Sequence, residues 1–167
     1  PTVTGSYVDP EAALVLVVAE EDVEEAVRSL VRIGLDRVDA FVTPRVLEHW
    51  VREGGRLERT EEIDMVDVED RRRDPRSVVL DVRRAAEFRE GHVPGALNVA
   101  HTRLLDRLEE LPRDRTLLVH CRTGSRSAVA TALLRREGFD AVYVNGLFEE
   151  WQTRFGQEEA REGVSIA

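Results

Sequence analysis

A single cysteine, Cys121, stands in the 167-residue chain, so an internal disulfide is excluded and no resolving thiol is present for thiol–disulfide redox chemistry. That usage fits a reducing compartment, and a cytoplasmic location is expected. Histidine is scarce and scattered: His49, His92, His101 and His120 form no His-x-His spacing, and with no Cys-x-x-Cys pair neither a metal site nor any cofactor is expected. Long hydrophobic runs are missing. The longest, residues 12–19, suits a buried strand and is too short to span a membrane. No charged-then-apolar leader is visible. Positive charge is in deficit, with 24 basic against 33 acidic residues and a net charge of −9, which opposes non-specific nucleic-acid binding. Arginine greatly outnumbers lysine, and the run at 71–73 lies beside Glu69, Asp70 and Asp74, as a solvated face does. What remains is a soluble globular composition, 42% hydrophobic and 34% charged, long enough for one domain or one and a part.

Against these absences, residues 116–138 concentrate the chemistry. An apolar run, Leu117-Leu118-Val119, ends at His120-Cys121. Arg122, Thr123, Gly124, Ser125 and Arg126 follow, and then a helical pattern over 127–137 with Val129, Ala130, Leu133 and Leu134 as its apolar positions. Gly138 supplies the stop. The order is strand, loop, helix, with the sole thiol where strand becomes loop. A loop opening into a helix directs unpaired amides and the positive end of the helix dipole at one point. Two arginines add full charges. All of these favour thiolate, the nucleophilic form.

The segment from Cys121 to Ser127 resembles the active-site loop of rhodanese-type sulfurtransferases. The likeness extends upstream to Val79-Leu80-Asp81-Val82-Arg83, Glu87-Phe88 and the run from Gly91 through Val99, and downstream to Gly138-Phe139 and Asn145-Gly146-Leu147 through Trp151. It covers about residues 64–155, the length of one such domain. The resemblance implies an α/β fold, a parallel sheet flanked by helices on both faces. Alternating strands and helices imply the same independently, and bring Asp81-Val82-Arg83 and His120-Cys121 to the same C-terminal edge.

The first third reads as a partial copy. A strand over 14–18, buried on both faces, is followed by a helix over 20–32, a strand over 38–42 and a helix over 44–53 with Val46, Leu47, Trp50 and Val51 facing inward. Strand, turn, helix, Gly-Leu-Asp, strand, helix and Trp recur later with Gly-Phe-Asp. Aligning these puts Val17 opposite Cys121 and Glu20-Glu21-Asp22 opposite Gly124-Ser125-Arg126, so the first copy has no thiol. The expected domains are a partial, cysteine-less rhodanese-like unit (1–57), a linker with a first short strand (58–74), a catalytic rhodanese domain (75–155) and a polar tail (156–167). Within the catalytic domain a helix is expected over 104–111 and a last helix ending near Trp151. Such degenerate units commonly follow a metallo-β-lactamase-fold module, in the persulfide dioxygenase-like class. The resemblance therefore implies the C-terminal portion of such a fusion, with that module or a homo-oligomer as partner.

For the site, the resemblance implies Cys121 as nucleophile, attacking the sulfane sulfur of a donor such as thiosulfate or a persulfide, and a thiol or cyanide as acceptor. Arg122, Thr123, Gly124, Ser125 and Arg126 form the binding loop, with the two arginines as anion binders. Asp81 and Arg83 read as a structural pair supporting the loop, and His120 should point to the sheet face opposite Cys121. Two other readings compete: a non-catalytic sulfur-binding or regulatory module, and a cysteine-dependent phosphatase. Phosphatases with a similar loop use a longer spacer than the four residues between Cys121 and Arg126, which suits the cradle to a single sulfur.

Overall fold

Two apolar, β-branched runs near the start of the chain pair with each other, and the later runs build a separate sheet. The computed structural model describes residues 4–162, with side chains through Gly156 except at Ser6, and divides into units Pro1–Arg59 and Thr60–Ala167.

In the first unit β1 (Leu14–Val17) lies parallel to β2 (Val38–Val42), with a register irregularity between Leu14 and Val15. The 3₁₀ turn Glu20–Asp22 leads into α1 (Val23–Val31), and Pro44 opens α2 (Pro44–Arg52) where its missing N–H costs nothing. Tyr7, Leu30 and Leu35 are buried. The expectation of a strand buried on both faces fails: Val15 is 62% exposed and Val17 52%, alternating with half-buried neighbours. Two strands make too narrow a sheet to be covered on both sides by their own connections. For the same reason Val46, Trp50 and Val51, expected to face inward on α2, are exposed, and only Leu47 is half-buried. The Trp50 ring instead lies on Gly55, where a Cβ would come within 2.2 Å of it.

The second unit opens with β3 (Glu62–Asp64), a 3₁₀ turn (Met65–Asp67) and α3 (Val68–Arg71). Then come β4 (Ser77–Asp81), α4 (Ala85–Arg89), β5 (Leu97–Asn98), 3₁₀ segments His101–Arg103 and Leu105–Glu110, and β6 (Thr116–His120). It closes with α5 (Ser125–Arg136), β7 (Ala141–Asn145) and α6 (Phe148–Glu162). All five strands are parallel, in the order β3-β7-β6-β4-β5. None of the described helices is long and apolar enough to cross a membrane.

On one sheet face, Val79, Leu118, Val142 and Val144 form a core with Met65, Val68, Phe148 and Trp151. The period of two sends Leu117 and Val119 to the other face, where α5 brings buried Ala130, Leu133 and Leu134. Each such aliphatic side chain contributes about 1.5–3 kcal/mol on full burial.

Four boundaries differ from the sequence reading. The segment read as mainly linker is part of this unit: β3 pairs with β7, and Met65 and Val68 are 1% and 0% exposed. The helix expected over 104–111 is instead the 3₁₀ segment Leu105–Glu110. Leu104 and Leu111 anchor the segment's ends in the core, while Arg107, with non-helical φ −126 and ψ 19, interrupts the helix between them. Helix α5 starts at Ser125, its buried face includes polar Ser127 and Thr131, and Val129 is 38% exposed. Helix α6 runs past Trp151 to Glu162, because Phe155 still packs on the core; the rest of the expected tail, 163–167, lies outside the described residues.

Strand register places Asp81 opposite His120 and Asp64 opposite Asn145, so these residues and Asn98 share the C-terminal rim. The Trp151→Ala substitution should lower the unfolding free energy by about 3–5 kcal/mol in urea denaturation followed by circular dichroism. Trp50→Ala, on the exposed α2, should cost less than about 1 kcal/mol in the same measurement.

Candidate active site

Strand β6 delivers Cys121 to the rim, and the chain must then reverse its direction within a few residues to start α5. Gly124 makes that possible. Its φ of 91 is open to glycine, and a Cβ there would stand 2.5 Å from Asn145 Oδ1 and 2.7 Å from the Tyr143 hydroxyl oxygen. The tight turn aims the backbone N–H groups of Thr123, Arg126 and Ser127 at the Cys121 sulfur, and Ser127 Oγ lies 3.5 Å from Sγ.

Cys121 is only 2% exposed, and burial pushes its thiol up. The Ser127 hydroxyl and the three amides outweigh burial, and the net shift is downward from the ordinary 9.0. The Ser127 hydroxyl also reaches the carbonyl oxygens of Gly124 (2.9 Å) and Val144 (3.2 Å). Having one proton, it can bond a carbonyl beside the neutral thiol and turn to Sγ when the thiolate forms.

Both loop arginines have carboxylate partners. Arg126 forms a two-pronged ion pair with Glu87, at 2.8 and 2.9 Å, and Arg122 donates to Glu149 at 2.7 Å. Arg126 stays close enough to Cys121 for the sulfur to raise its pKa, after the larger effects of Glu87 and burial. Glu87 also accepts the Arg84 amide at the start of α4. The Arg126 guanidinium holds the Glu87 carboxyl at about 2, below its ordinary 4.5. Thr123 and Ser125 are exposed, and they serve the loop through their small size and, for Thr123, its amide.

Asp81 and Arg83 come together behind the loop. Arg83 donates through Nε at 2.9 Å and Nη2 at 2.6 Å to Asp81 Oδ2, and through Nη2 at 2.7 Å to the Gly91 carbonyl. Its guanidinium lies 3.8 Å from the Phe148 ring centre. Asn98 Nδ2 clamps the carbonyls of Asp81 and Arg83 at 2.9 and 3.0 Å. His120 is on the α6 side of the sheet, stacked on Phe148 at 5.5 Å, while Cys121 meets Ser127 of α5. The Phe148 amide donates to the Arg122 carbonyl at 2.9 Å, tying the loop to α6.

No role was assigned from sequence to Ser127, Glu87, Glu149, Tyr143 or Asn145, although all but Tyr143 fall in the segments that carry the resemblance. Ser127 had a signal, a small hydroxyl residue one position beyond Arg126 on the first turn of the helix. The others reach the loop from remote segments, so their contacts with it follow only from the packing.

A parallel α/β unit with one thiol at a strand end, its pKa lowered by the amides of a short loop, is the frame in which the comparisons with known proteins are read. Residues 64–154, more than half of the chain, match the model of the rhodanese-like domain, and the chain belongs to that family. A thiosulfate sulfurtransferase of Pseudomonas syringae is 36% identical over 87 residues, covering 52% of this chain and 82% of that protein. A sulfurtransferase of Allochromatium vinosum is 37% identical over 82 residues, covering 48% and 77%. Among solved structures, a rhodanese-related protein from Thermoplasma volcanium superposes with a TM-score of 0.52 at 28% identity, covering 57% of this chain and 93% of that one. The human single-domain sulfurtransferase gives a TM-score of 0.51 at 25% identity, over 57% and 98%.

Ser127→Ala should shift the pH profile of Cys121 alkylation by iodoacetamide to higher pH; an unchanged profile would mean that the hydroxyl serves the Gly124 and Val144 carbonyls alone. The Glu87 pKa, depressed to about 2, means that its stabilising contribution is present above 4.5 and is lost as pH falls toward 2. The unfolding free energy of Glu87→Gln should therefore fall less steeply than that of the wild type between pH 4.5 and 2, as read from urea titrations across that window.

Proposed function

We propose that the protein is a sulfurtransferase that carries a sulfane sulfur on Cys121 from thiosulfate or a persulfide to a thiol or cyanide. The observation that carries this reading is the set of donors around Sγ: three loop amides and the Ser127 hydroxyl, which lower the thiol pKa in spite of burial. A lone ionised sulfur in such a cradle has two uses. As thiolate it attacks the outer sulfur of the donor, forming the Sγ–S bond while the donor's S–S bond breaks and its electron pair leaves on sulfite or a thiolate. As persulfide its terminal sulfur carries the negative charge, and the same amides stabilise that charge without rearranging. The acceptor then attacks the terminal sulfur and Cys121 leaves again as thiolate. Both half-reactions use one thiol, so ping-pong kinetics follow. No general base is needed, which agrees with His120 lying on the far face of the sheet.

The phosphatase reading has less support. The spacer is short, and Arg126, which would have to grip a phosphate, is held by both oxygens of Glu87. The thiol's need for a reduced state supports a cytoplasmic setting.

Intact-mass spectrometry tests the proposal. Incubation with a sulfane-sulfur donor should add one sulfur atom to the wild type, cyanide should remove it, and Cys121→Ala should gain none. Turnover of p-nitrophenyl phosphate should be absent; a phosphatase rate without sulfur uptake would replace the proposal.

A further inference from the structure

Past the end of β6 the sheet ladder gives out while the chain is still buried. The His120 carbonyl takes the Val82 amide at 3.0 Å, whereas the Cys121 carbonyl takes no backbone amide among the described residues. Its donor is the His120 ring, whose Nδ1 lies 3.2 Å away. The other ring nitrogen, Nε2, stands 3.6 Å from Asp81 Oδ2, too far for a hydrogen bond, and is buried with no partner.

Both polar groups that face this fully buried ring accept hydrogen bonds. Cys121 offers a carbonyl, and Asp81, at the end of β4, a carboxylate already held by Arg83. From α6 the Phe148 ring stacks on the imidazole and brings no charge. Burial lowers the His120 pKa below its ordinary 6.5, against the pull of Asp81 and of the Cys121 carbonyl, and Arg83 adds to the lowering. The ring is therefore neutral at pH 7, with one N–H for two acceptors. The distances put that proton on Nδ1, the nitrogen within hydrogen-bond reach.

The next peptide along shows what such a bond does. The Phe148 amide holds the Arg122 carbonyl at 2.9 Å, and the N–H of the same peptide, that of Thr123, faces the Cys121 sulfur. In a trans peptide C=O and N–H point opposite ways, and the chain has no cis bond. His120 acts in the same way on the preceding peptide. By drawing the Cys121 carbonyl to the α6 side it turns the Arg122 N–H away from that side.

We propose that His120 is a positioning residue for sulfur transfer: as the neutral Nδ1–H tautomer it holds the Cys121 carbonyl and so fixes the first peptide of the loop. This deepens the sulfurtransferase reading, on which its kinetic consequence rests. His120 acts through the peptide and exchanges no proton with substrate. Without its N–H the buried carbonyl is unpaired, the peptide turns toward another donor, and the Thr123 amide loses its alignment with Sγ.

Two experiments test this. In protein labelled with nitrogen-15 histidine, long-range proton–nitrogen correlation at neutral pH should show the His120 ring, assigned through its backbone amide, protonated at Nδ1 and bare at Nε2. A proton on Nε2, alone or with one on Nδ1, overturns the assignment. The second experiment compares His120→Phe, which keeps a ring against Phe148 but has no N–H, with His120→Asn, whose amide N–H can take the place of Nδ1–H. Circular dichroism establishes that both fold; if either does not, the wild-type tautomer decides. His120→Phe should load sulfur from saturating thiosulfate about tenfold more slowly in a single turnover read by intact mass, and should shift the pH profile of Cys121 alkylation upward. His120→Asn should stay within about threefold of the wild type. A Phe variant equal to the wild type, or Phe and Asn variants equally impaired, overturns the positioning role. Wild-type protein that takes sulfur from neither thiosulfate nor glutathione persulfide overturns the sulfurtransferase reading instead, while the tautomer and the alkylation profile still report on His120.

Discussion

A buried sulfur anion is tolerable only where hydrogen-bond donors are held in place around it, and the amides of Thr123, Arg126 and Ser127 meet that condition at Cys121. Much of the second unit holds those amides still. Strand β6 is central in the sheet, with β4 and β7 on either side, so the residue before the loop cannot shift along its axis. Gly124 turns the chain with Tyr143 and Asn145 of β7 closed over its α-carbon. The Phe148 amide anchors the Arg122 carbonyl from the other side of the loop. Behind these, the Asp81–Arg83 pair joins the end of β4 to the Gly91 turn and to the Phe148 ring. Removing either member of such a buried pair leaves an uncompensated charge, at a cost of about 3–5 kcal/mol.

The electrostatics of the site work at two distances. Close to the sulfur, neutral dipoles favour ionisation. Farther out, Arg126, Arg122 and Arg83 hold the carboxylates of Glu87, Glu149 and Asp81. Short-range dipoles keep their effect at physiological salt, whereas the exposed outer charges are screened within a Debye length. The inner dipoles and the outer charges can therefore respond separately to substitution and to ionic strength.

The parts legible from sequence were those encoded locally. A strand ending in cysteine, a loop of small and basic residues and an apolar helical spacing lie within 116–138, and the site was readable there. Asp81 and Arg83, two residues apart, were readable as a pair for the same reason. The destination of Arg126 was not, because Glu87 lies 39 residues away and only the packing of α4 against the loop brings it within reach. Ser127 and Thr131 sit on the buried face of α5, where a rule that looks for apolar residues passes over them. In the first unit, periodicity correctly marked strand and helix. It misjudged exposure, because a hydrophobic residue is buried only if another layer exists to cover it, and pattern alone carries no count of layers.

The outer strands of the five-stranded sheet are very short: β3 has three residues and β5 two. A rim so brief offers a passing strand only a few main-chain groups to zip onto, too few to fix a register. The longer, stickier β4, β6 and β7 stay flanked by these stubs on both sides. Loss of either stub would bare a five-residue strand, β4 or β7, so two very short strands shield the sheet from cross-chain ladders for as long as they stay paired.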